Sequence, residues 1–182
     1  MTRLLLVRHG KAAAGWHEDH DPGLDETGYL QARTVGASLA ARGPLPLVTS
    51  PLRRARETAR PLEAAWSTSA VAEAAVGEIP SPSDDLVTRG AWLREVLRRA
   101  WSDLDARLRA WRATLVDTLV DSPTDLVVFT HFVAINVAIG KAVGDDRVMV
   151  FAPDHCSVTE LEAVDGRLVL VSRGDEAATT VR

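Results

Sequence analysis

The fold is indicated first by residues 3–10, which read RLLLVRHG. Residues 3–7 predict a short strand, and its apolar part (residues 4–7) is typical of a strand buried on both faces. Such strands belong to parallel sheets that helices cover on both sides. The strand is followed directly by Arg8, His9 and Gly10. Side chains able to carry chemistry therefore stand at its carboxyl end.

Strands and helices alternate along the rest of the chain. The predicted strands are 3–7, 45–49, 71–78, 126–130, 157–164 and 167–172. The predicted helices are 25–42, one that starts at Ser50-Pro51 and runs toward Trp66, 84–99, 102–121 and 132–143. We expect an α/β fold, a three-layer α/β/α sandwich whose mostly parallel sheet is made mixed by a C-terminal hairpin. A single domain is expected over residues 1–182, with a helical insertion at about 81–121 and fraying of the last ten residues.

Composition and charge exclude several classes of protein. Hydrophobic residues make up 46% and charged residues 25%, which is typical of a soluble globular domain and not of disordered or membrane proteins. The net charge of −4 argues against a nucleic-acid partner. Cys156 is the single cysteine, so the chain has no internal disulfide and no cysteine zinc cage. With no signal-peptide pattern at the start, we expect a cytoplasmic protein that binds no membrane.

Basic residues follow three of the predicted strands and an acid follows a fourth. In open α/β sheets, ligands bind beyond the carboxyl ends of the strands. The side chains expected there are Arg8, His9, Arg53, Arg54, Arg56, Glu78 and His131. Arginines in the first turn of a helix are repelled by its positive end unless an anion lies between them. Helix N–H groups and guanidinium groups both suit phosphate. The pattern therefore predicts a phosphate pocket.

Several blocks also carry a resemblance to a known family. They are residues 5–10, residues 21–28 with Gln31-Ala32, residues 49–59, Glu78, and residues 128–131. In these blocks the sequence resembles the histidine phosphatase superfamily, which has the phosphoglycerate-mutase-like fold. The resemblance implies a hydrolase that needs no metal ion and no cofactor. Its substrate would be a phosphorylated small molecule or a phosphoprotein.

The resemblance also implies a role for each site residue. His9 is the nucleophile that becomes phosphohistidine. Arg8, Arg53 and His131 hold the phosphoryl oxygens. Glu78 protonates the leaving oxygen and then takes a proton from the attacking water. These roles suit phosphoryl transfer, which depends mainly on in-line positioning of the nucleophile and on neutralising the charge of the equatorial phosphoryl oxygens.

Three departures from the family pattern leave alternatives open. Phe132 stands where the family usually has Gly, and Lys11 where Glu or Gln is common. These two motivate a catalytically inactive module that binds phosphate or phosphoproteins. Gly15 replaces the Asn of mutase-like members, which weakens a second alternative, a phosphomutase. The acid itself is open between Glu78 and the pair Asp84 and Asp85.

Other candidate residues have a plainer interpretation. The segment 17–21 (HEDHD) suggests a metal site, but we favour a hydrophilic loop. Trp101, at the break between two predicted helices, is the tryptophan considered for a lid. Cys156 is expected to be a small buried residue, and His155 is only a weak candidate for the pocket. We expect specificity to reside in residues 12–22 and 81–104.

Overall fold

The computed structural model describes residues 1–177 of the 182-residue chain. The strands are β1 (Thr2–Arg8), β2 (Leu47–Thr49), β3 (Val71–Ala72), β4 (Leu126–Thr130), β5 (Val158–Val164) and β6 (Arg167–Ser172). The α-helices are α1 (Glu26–Ala40), α2 (Arg53–Trp66), α3 (Leu86–Val96), α4 (Ala106–Val120) and α5 (Phe132–Val143). Short 3₁₀ turns lie at Ala74–Val76 and Trp101–Asp103.

The strands form one mixed sheet in the order β3-β2-β4-β1-β5-β6. Strand β4 pairs in parallel with β1 and with β2, and β2 pairs in parallel with β3. In contrast, β5 runs antiparallel to β1, and β6 runs antiparallel to β5. The carboxyl ends of β1, β2 and β4 therefore meet at the same edge of the sheet. This arrangement confirms the predicted mixed sheet with its C-terminal hairpin.

Alternate residues of β1 pack on opposite faces of the sheet, as the pleat requires. Leu5 and Val7 belong to the core that lies against α1 and α2. Leu4 and Leu6 belong to the core that lies against α4 and α5. Because helices cover both faces, the apolar character of residues 4–7 of β1 has a direct explanation. The three-layer α/β/α sandwich is confirmed.

One helix N-cap, one helix C-terminal glycine and one hairpin turn form where the sequence predicts them. Asp25 caps α1, since its carboxylate accepts a hydrogen bond from the Gly28 N–H. Helix α5 spans the predicted residues and ends at Gly144, which has a φ of 71°. The hairpin turns at Asp165 and Gly166, whose φ angles are 49° and 73°. Positive φ at both central residues is what a two-residue hairpin turn requires.

The start of α2 differs from the prediction. The helix begins at Arg53 with Leu52 as its N-cap, and the predicted cap, Ser50, lies outside it. The Ser50 hydroxyl instead accepts a hydrogen bond from the Leu52 N–H at 3.2 Å, closing a tight turn before the helix. Pro61 is expected to kink or shorten α2, but it does not shorten the helix, which continues to Trp66.

Two other predicted elements are shorter than expected. The predicted strand 71–78 is a strand only over its first two residues, because Glu73 accepts a hydrogen bond from the Ala75 N–H and starts a 3₁₀ turn. Helix α4 is capped by Asp105, so the predicted start at Ser102 is wrong.

Trp101 is not a lid residue. Only 1% of its surface is exposed. Its ring packs 6.0 Å from the ring of Trp111 and 5.2 Å from the Arg112 guanidinium. It is part of the core.

The end of the chain is more ordered than expected over residues 173–177. The Asp154 N–H donates to the Asp175 carbonyl at 2.8 Å, and the Ala177 N–H donates to the Ala152 carbonyl at 2.9 Å. The remainder of the segment predicted to fray, residues 178–182, lies outside the described residues. Within residues 1–177, no helix has the length and apolar character needed to cross a membrane.

Candidate active site

His9 lies at the carboxyl end of β1, where its backbone N–H donates to the Thr130 carbonyl of β4 at 3.0 Å. Its Nδ1 is 2.7 Å from the Gly10 carbonyl oxygen. A carbonyl can only accept, so Nδ1 carries the proton and Nε2 carries the lone pair. Burial, together with the nearby Arg54 and Arg8, holds the pKa of His9 well below its usual value. The ring is therefore a neutral imidazole whose lone pair is on Nε2.

Gly10 allows the chain to turn at this point. A Cβ at Gly10 would lie 2.7 Å from the carbonyl oxygen of Gly28 in α1, closer than packing permits. The Gly10 N–H donates to the Thr58 hydroxyl at 3.0 Å, and that hydroxyl donates to the Arg54 carbonyl at 2.7 Å. The loop after β1 is thus fixed to both α1 and α2.

Arg54 is the arginine of α2 that enters the site. It is 3% exposed, and its Nε donates to His9 Nε2 at 3.2 Å. Burial lowers its pKa. Its Nη1 is buried and has no hydrogen-bond partner among the described residues.

Arg53 does not enter the site. Its side chain is 63% exposed and donates to Glu57 Oε1 at 2.8 Å. The prediction that Arg53 reaches the pocket is wrong, because adjacent residues of a helix point in directions about 100° apart. The signal for Arg54 was present in the sequence. Arg54, Thr58 and Leu62 recur every four residues and form the buried stripe of α2.

Arg8 is held by two contacts beside His9. Its Nη1 donates to the Pro153 carbonyl at 2.8 Å, and its guanidinium lies 5.3 Å from the centre of the Phe132 ring. The Nε of Arg8 is buried without a partner in the described structure, and burial lowers the pKa of the side chain. Phe132, the departure from the family pattern, supports a site arginine through a cation–π contact.

His131 is fully buried at the N-terminus of α5, with its ring centre 5.2 Å from that of His9. Its Nε2 lies 2.7 Å from the Ser50 hydroxyl. That hydroxyl also accepts a hydrogen bond from the Leu52 N–H. The other ring nitrogen, Nδ1, is buried with no partner within residues 1–177. Burial and Arg54 hold the pKa of His131 well below its usual value.

Glu78 lines the cavity that opens above His9. Its Oε1 accepts a hydrogen bond from the Ile79 N–H at 2.9 Å, and burial raises the pKa of the carboxyl. The two alternative acids are not among the residues that line the cavity. Asp85 instead caps α3 by accepting from the Thr88 N–H at 2.8 Å. Of the three candidate acids, the geometry favours Glu78.

The cavity has a volume of about 490 Å³. Its floor is formed by Arg8, His9 and Arg54, and its walls come from the loop after β1, from α3 and from the start of α5. Lys11, the second departure from the family pattern, lies on the wall and pairs with Asp25 at 3.0 Å. In the loop thought to resemble a metal site, His20 Nδ1 lies 2.7 Å from Arg89 Nη1. Within residues 1–177, no three histidine, cysteine or acidic side chains are grouped as a metal site would need.

His155 is closer to the site than the sequence suggested. Its ring centre is 6.0 Å from that of His9, and it lines the same cavity. The next residue, Cys156, is half-buried and has a φ of 57°, which is unusual for a residue with a side chain. The Cys156 N–H donates to the Arg8 carbonyl at 3.0 Å. This turn depends on tertiary contacts, so no local sequence signal predicts the position of His155.

Comparison with known proteins agrees with this geometry. The family model described as histidine phosphatase superfamily (branch 1) matches residues 4–176. The chain belongs to this superfamily. Membership supports the expectation that it is a phosphatase. The bifunctional protein Rv2228c of Mycobacterium tuberculosis is 34% identical over an alignment of 130 residues, which covers 67% of this chain and 32% of that protein. The chain thus spans about a third of the length of the curated relatives it matches.

Solved structures share the fold at low sequence identity. Bacillus stearothermophilus YhfR has a TM-score of 0.77 at 21% identity, covering 97% of this chain and 98% of the other. A phosphoserine phosphatase from Entamoeba histolytica, in complex with 3-phosphoglyceric acid, has a TM-score of 0.74 at 21% identity, covering 96% and 98%. A mycobacterial glucosyl-3-phosphoglycerate phosphatase has a TM-score of 0.71 at 22% identity, covering 97% and 100%.

The neighbouring arginines provide a matched pair of variants. We expect Arg54→Ala to weaken binding of inorganic phosphate by tenfold or more, roughly the effect of losing one charge-assisted hydrogen bond. Arg53→Ala should change binding by no more than about twofold, since the Arg53 side chain is exposed. Calorimetric titration measures both, and circular dichroism shows that each variant is folded. Equal losses in the two variants would contradict the assignment.

The buried histidines make folding stability depend on pH. Unfolded histidine titrates near pH 6.5, whereas folded His9 and His131 stay neutral below that value. Below about pH 6.5 the unfolded chain therefore binds more protons, and the free energy of unfolding falls, by up to about 1.4 kcal/mol per pH unit for each group. Glu78, with its raised pKa, acts in the opposite sense.

Comparison of variants isolates the histidine contribution from that of Glu78. Urea denaturation between about pH 7 and pH 5 should give a shallower loss of stability in His9→Gln than in the wild type. Parallel curves for the two proteins would show that His9 titrates normally in the folded state.

Proposed function

We propose that this chain is a phosphomonoester phosphatase that acts through a phosphohistidine on Nε2 of His9. The observation that carries the proposal is the surroundings of that nitrogen. A neutral imidazole, whose lone pair is placed on Nε2 by the Gly10 carbonyl, lies near Arg8, Arg54 and His131, each of which has a buried nitrogen with no partner among residues 1–177. Buried polar groups are almost always paired, so unpartnered nitrogens on three neighbouring side chains support an anionic ligand with several oxygens.

In the first step the His9 Nε2 lone pair attacks phosphorus and forms the P–N bond. The bond between phosphorus and the leaving oxygen breaks, and the leaving oxygen takes the proton of the Glu78 carboxyl. Arg8, Arg54 and His131 Nδ1 donate to the equatorial oxygens and neutralise their charge. Arg54, which donates to His9 Nε2 in the free enzyme, releases the lone pair when it turns to the phosphate.

In the second step water attacks the phosphohistidine. The Glu78 carboxylate takes a proton from this water, the P–N bond breaks, and its electron pair returns to His9 Nε2. Inorganic phosphate leaves, and Glu78 is again protonated. Burial raises the pKa of Glu78, which suits a group that must donate a proton first and accept one later.

The fold neighbours support a phosphorylated small molecule as substrate. These neighbours include a phosphoserine phosphatase and a glucosyl-3-phosphoglycerate phosphatase. The positive floor of the cavity fits the group that these substrates share, the phosphoryl group. The phosphate-binding charge comes from arginines, which in this proposal do the work that metal ions do in other phosphatases.

Replacement of Glu78 tests the division of roles. Glu78→Gln should slow hydrolysis of alkyl phosphates, which have poor leaving groups, by roughly 10²–10⁴-fold. Hydrolysis of p-nitrophenyl phosphate should slow far less, because nitrophenolate leaves without a proton. Glu73→Gln, a change at an acid that starts the neighbouring 3₁₀ turn, is the control. Steady-state rates with both substrates measure the effect.

Two results would count against the proposal. Equal slowing of both substrates would mean that Glu78 is not the acid. Binding of inorganic phosphate by a wild type that hydrolyses neither substrate would favour the inactive binding module over the enzyme.

A further inference from the structure

We infer that the leaving group of the substrate is apolar and uncharged, so that the substrate class is aryl or alkyl phosphates rather than carboxylate-bearing phosphomonoesters. This inference rests on the proposed function and extends it from the phosphoryl group to the rest of the substrate. It depends on the walls of the catalytic cavity, whereas the proposed function depends on its floor.

One wall of the cavity is apolar. Trp16 from the loop after β1, Leu93 and Leu97 from α3 and its C-cap, and Val133 from α5 all line it. These side chains come from three separate segments and line the same cavity as Arg8 and Arg54. A leaving group released from a phosphoryl group on His9 would lie against this surface. Burial of apolar area contributes about 25 cal/mol per Å², which favours an apolar group there.

The position of Trp16 is fixed by its neighbours. Its ring stacks on Trp92 of α3, with the ring centres 6.2 Å apart and the planes 14° apart. The Arg89 guanidinium lies 4.6 Å from the centre of the Trp16 ring. Arg89 in turn contacts His20 at 2.7 Å. The loop and α3 are thereby held together, and the wall exists before substrate binds.

Gly90 allows this close packing of the loop against α3. A Cβ at Gly90 would lie 2.9 Å from the Cβ of His17. The backbone of α3 therefore approaches the loop more closely than a residue with a side chain would permit.

The charged groups of the walls disfavour a carboxylate on the leaving group. Glu18 lines the cavity, so a carboxylate on the leaving group would meet a like charge. Lys11 and Asp25, which also line the cavity, pair with each other at 3.0 Å and offset each other's charge. The lining arginines, Arg8 and Arg54, belong to the floor and are used by the phosphoryl group.

A matched series of aryl phosphates tests the inference. The compounds are p-ethylphenyl phosphate, its p-carboxymethyl analogue and its p-aminomethyl analogue. They have nearly the same length and similar phenol acidity, so differences in kcat/KM report mainly the charge at the far end. We expect kcat/KM for the ethyl compound to exceed that for the carboxymethyl compound by about tenfold or more, and to exceed that for the aminomethyl compound as well.

Two variants assign the preference to the walls. Leu97→Ala should lower kcat/KM for the ethyl compound by about tenfold, with inhibition by inorganic phosphate unchanged. Val87→Ala, an exposed truncation on the same helix, is its control. Glu18→Gln should raise several-fold the ratio of kcat/KM for the carboxymethyl compound to kcat/KM for the ethyl compound. Glu26→Gln, an exposed change in the first turn of α1, is the control for charge.

The outcomes separate this inference from the proposed function. Hydrolysis of all three compounds at similar rates, or a preference for either charged compound, would overturn the inference and leave the phosphatase activity intact. If Leu97→Ala lowers kcat/KM for the ethyl compound and also weakens inhibition by inorganic phosphate, the variant has a general structural defect. That result would also overturn the inference. Absence of hydrolysis of all three and of p-nitrophenyl phosphate would overturn the proposed function, and the inference with it.

Discussion

The hydrogen bond from His9 Nδ1 to the Gly10 carbonyl decides which nitrogen of the imidazole carries the lone pair. With the proton fixed on Nδ1, Nε2 faces the buried arginine of α2 and is available to attack. The bond forms only if the chain turns sharply after β1. Gly10 permits that turn beside the Gly28 carbonyl, and Thr58 holds it from α2. Strand β1 and helices α1 and α2 therefore together determine the orientation of the His9 ring.

Burial and repulsion between positive charges explain why both histidines of the site are neutral. Two arginines are largely buried beside His9, and burial of unpaired cations is unfavourable. Positive charge on His9 or His131 as well would add repulsion, and the lowered pKa values of both rings avoid it. A phosphoryl group would supply the missing negative charge. Stability given up in the free protein would thus be recovered as affinity for an anion, which is the usual compromise at functional sites.

The sequence predicted those parts of the site that follow from strand ends. Arg8 is the last residue of β1, and His9 and His131 come directly after β1 and β4. Parallel strands bring such residues to one edge of the sheet. Arg53 and Arg54 were harder to separate, because the start of α2 depends on the Ser50 turn and its contact with His131 rather than on the Ser-Pro signal. The position of His155 could not be predicted for a similar reason, because the Cys156 N–H holds its turn by donating to the distant Arg8 carbonyl. Local sequence patterns depend on residues that are adjacent in the chain, whereas these positions are determined by contacts between distant segments.

The central claim is a covalent bond between His9 and the phosphoryl group. It is tested most directly by mixing the enzyme with radiolabelled phosphomonoester, quenching within the first turnover, and locating the label. The account predicts protein-bound label that is stable to alkali and labile to acid, on the peptide that contains His9, and no such label in His9→Ala. Label on a different residue, or phosphatase turnover that persists in His9→Ala, would contradict it.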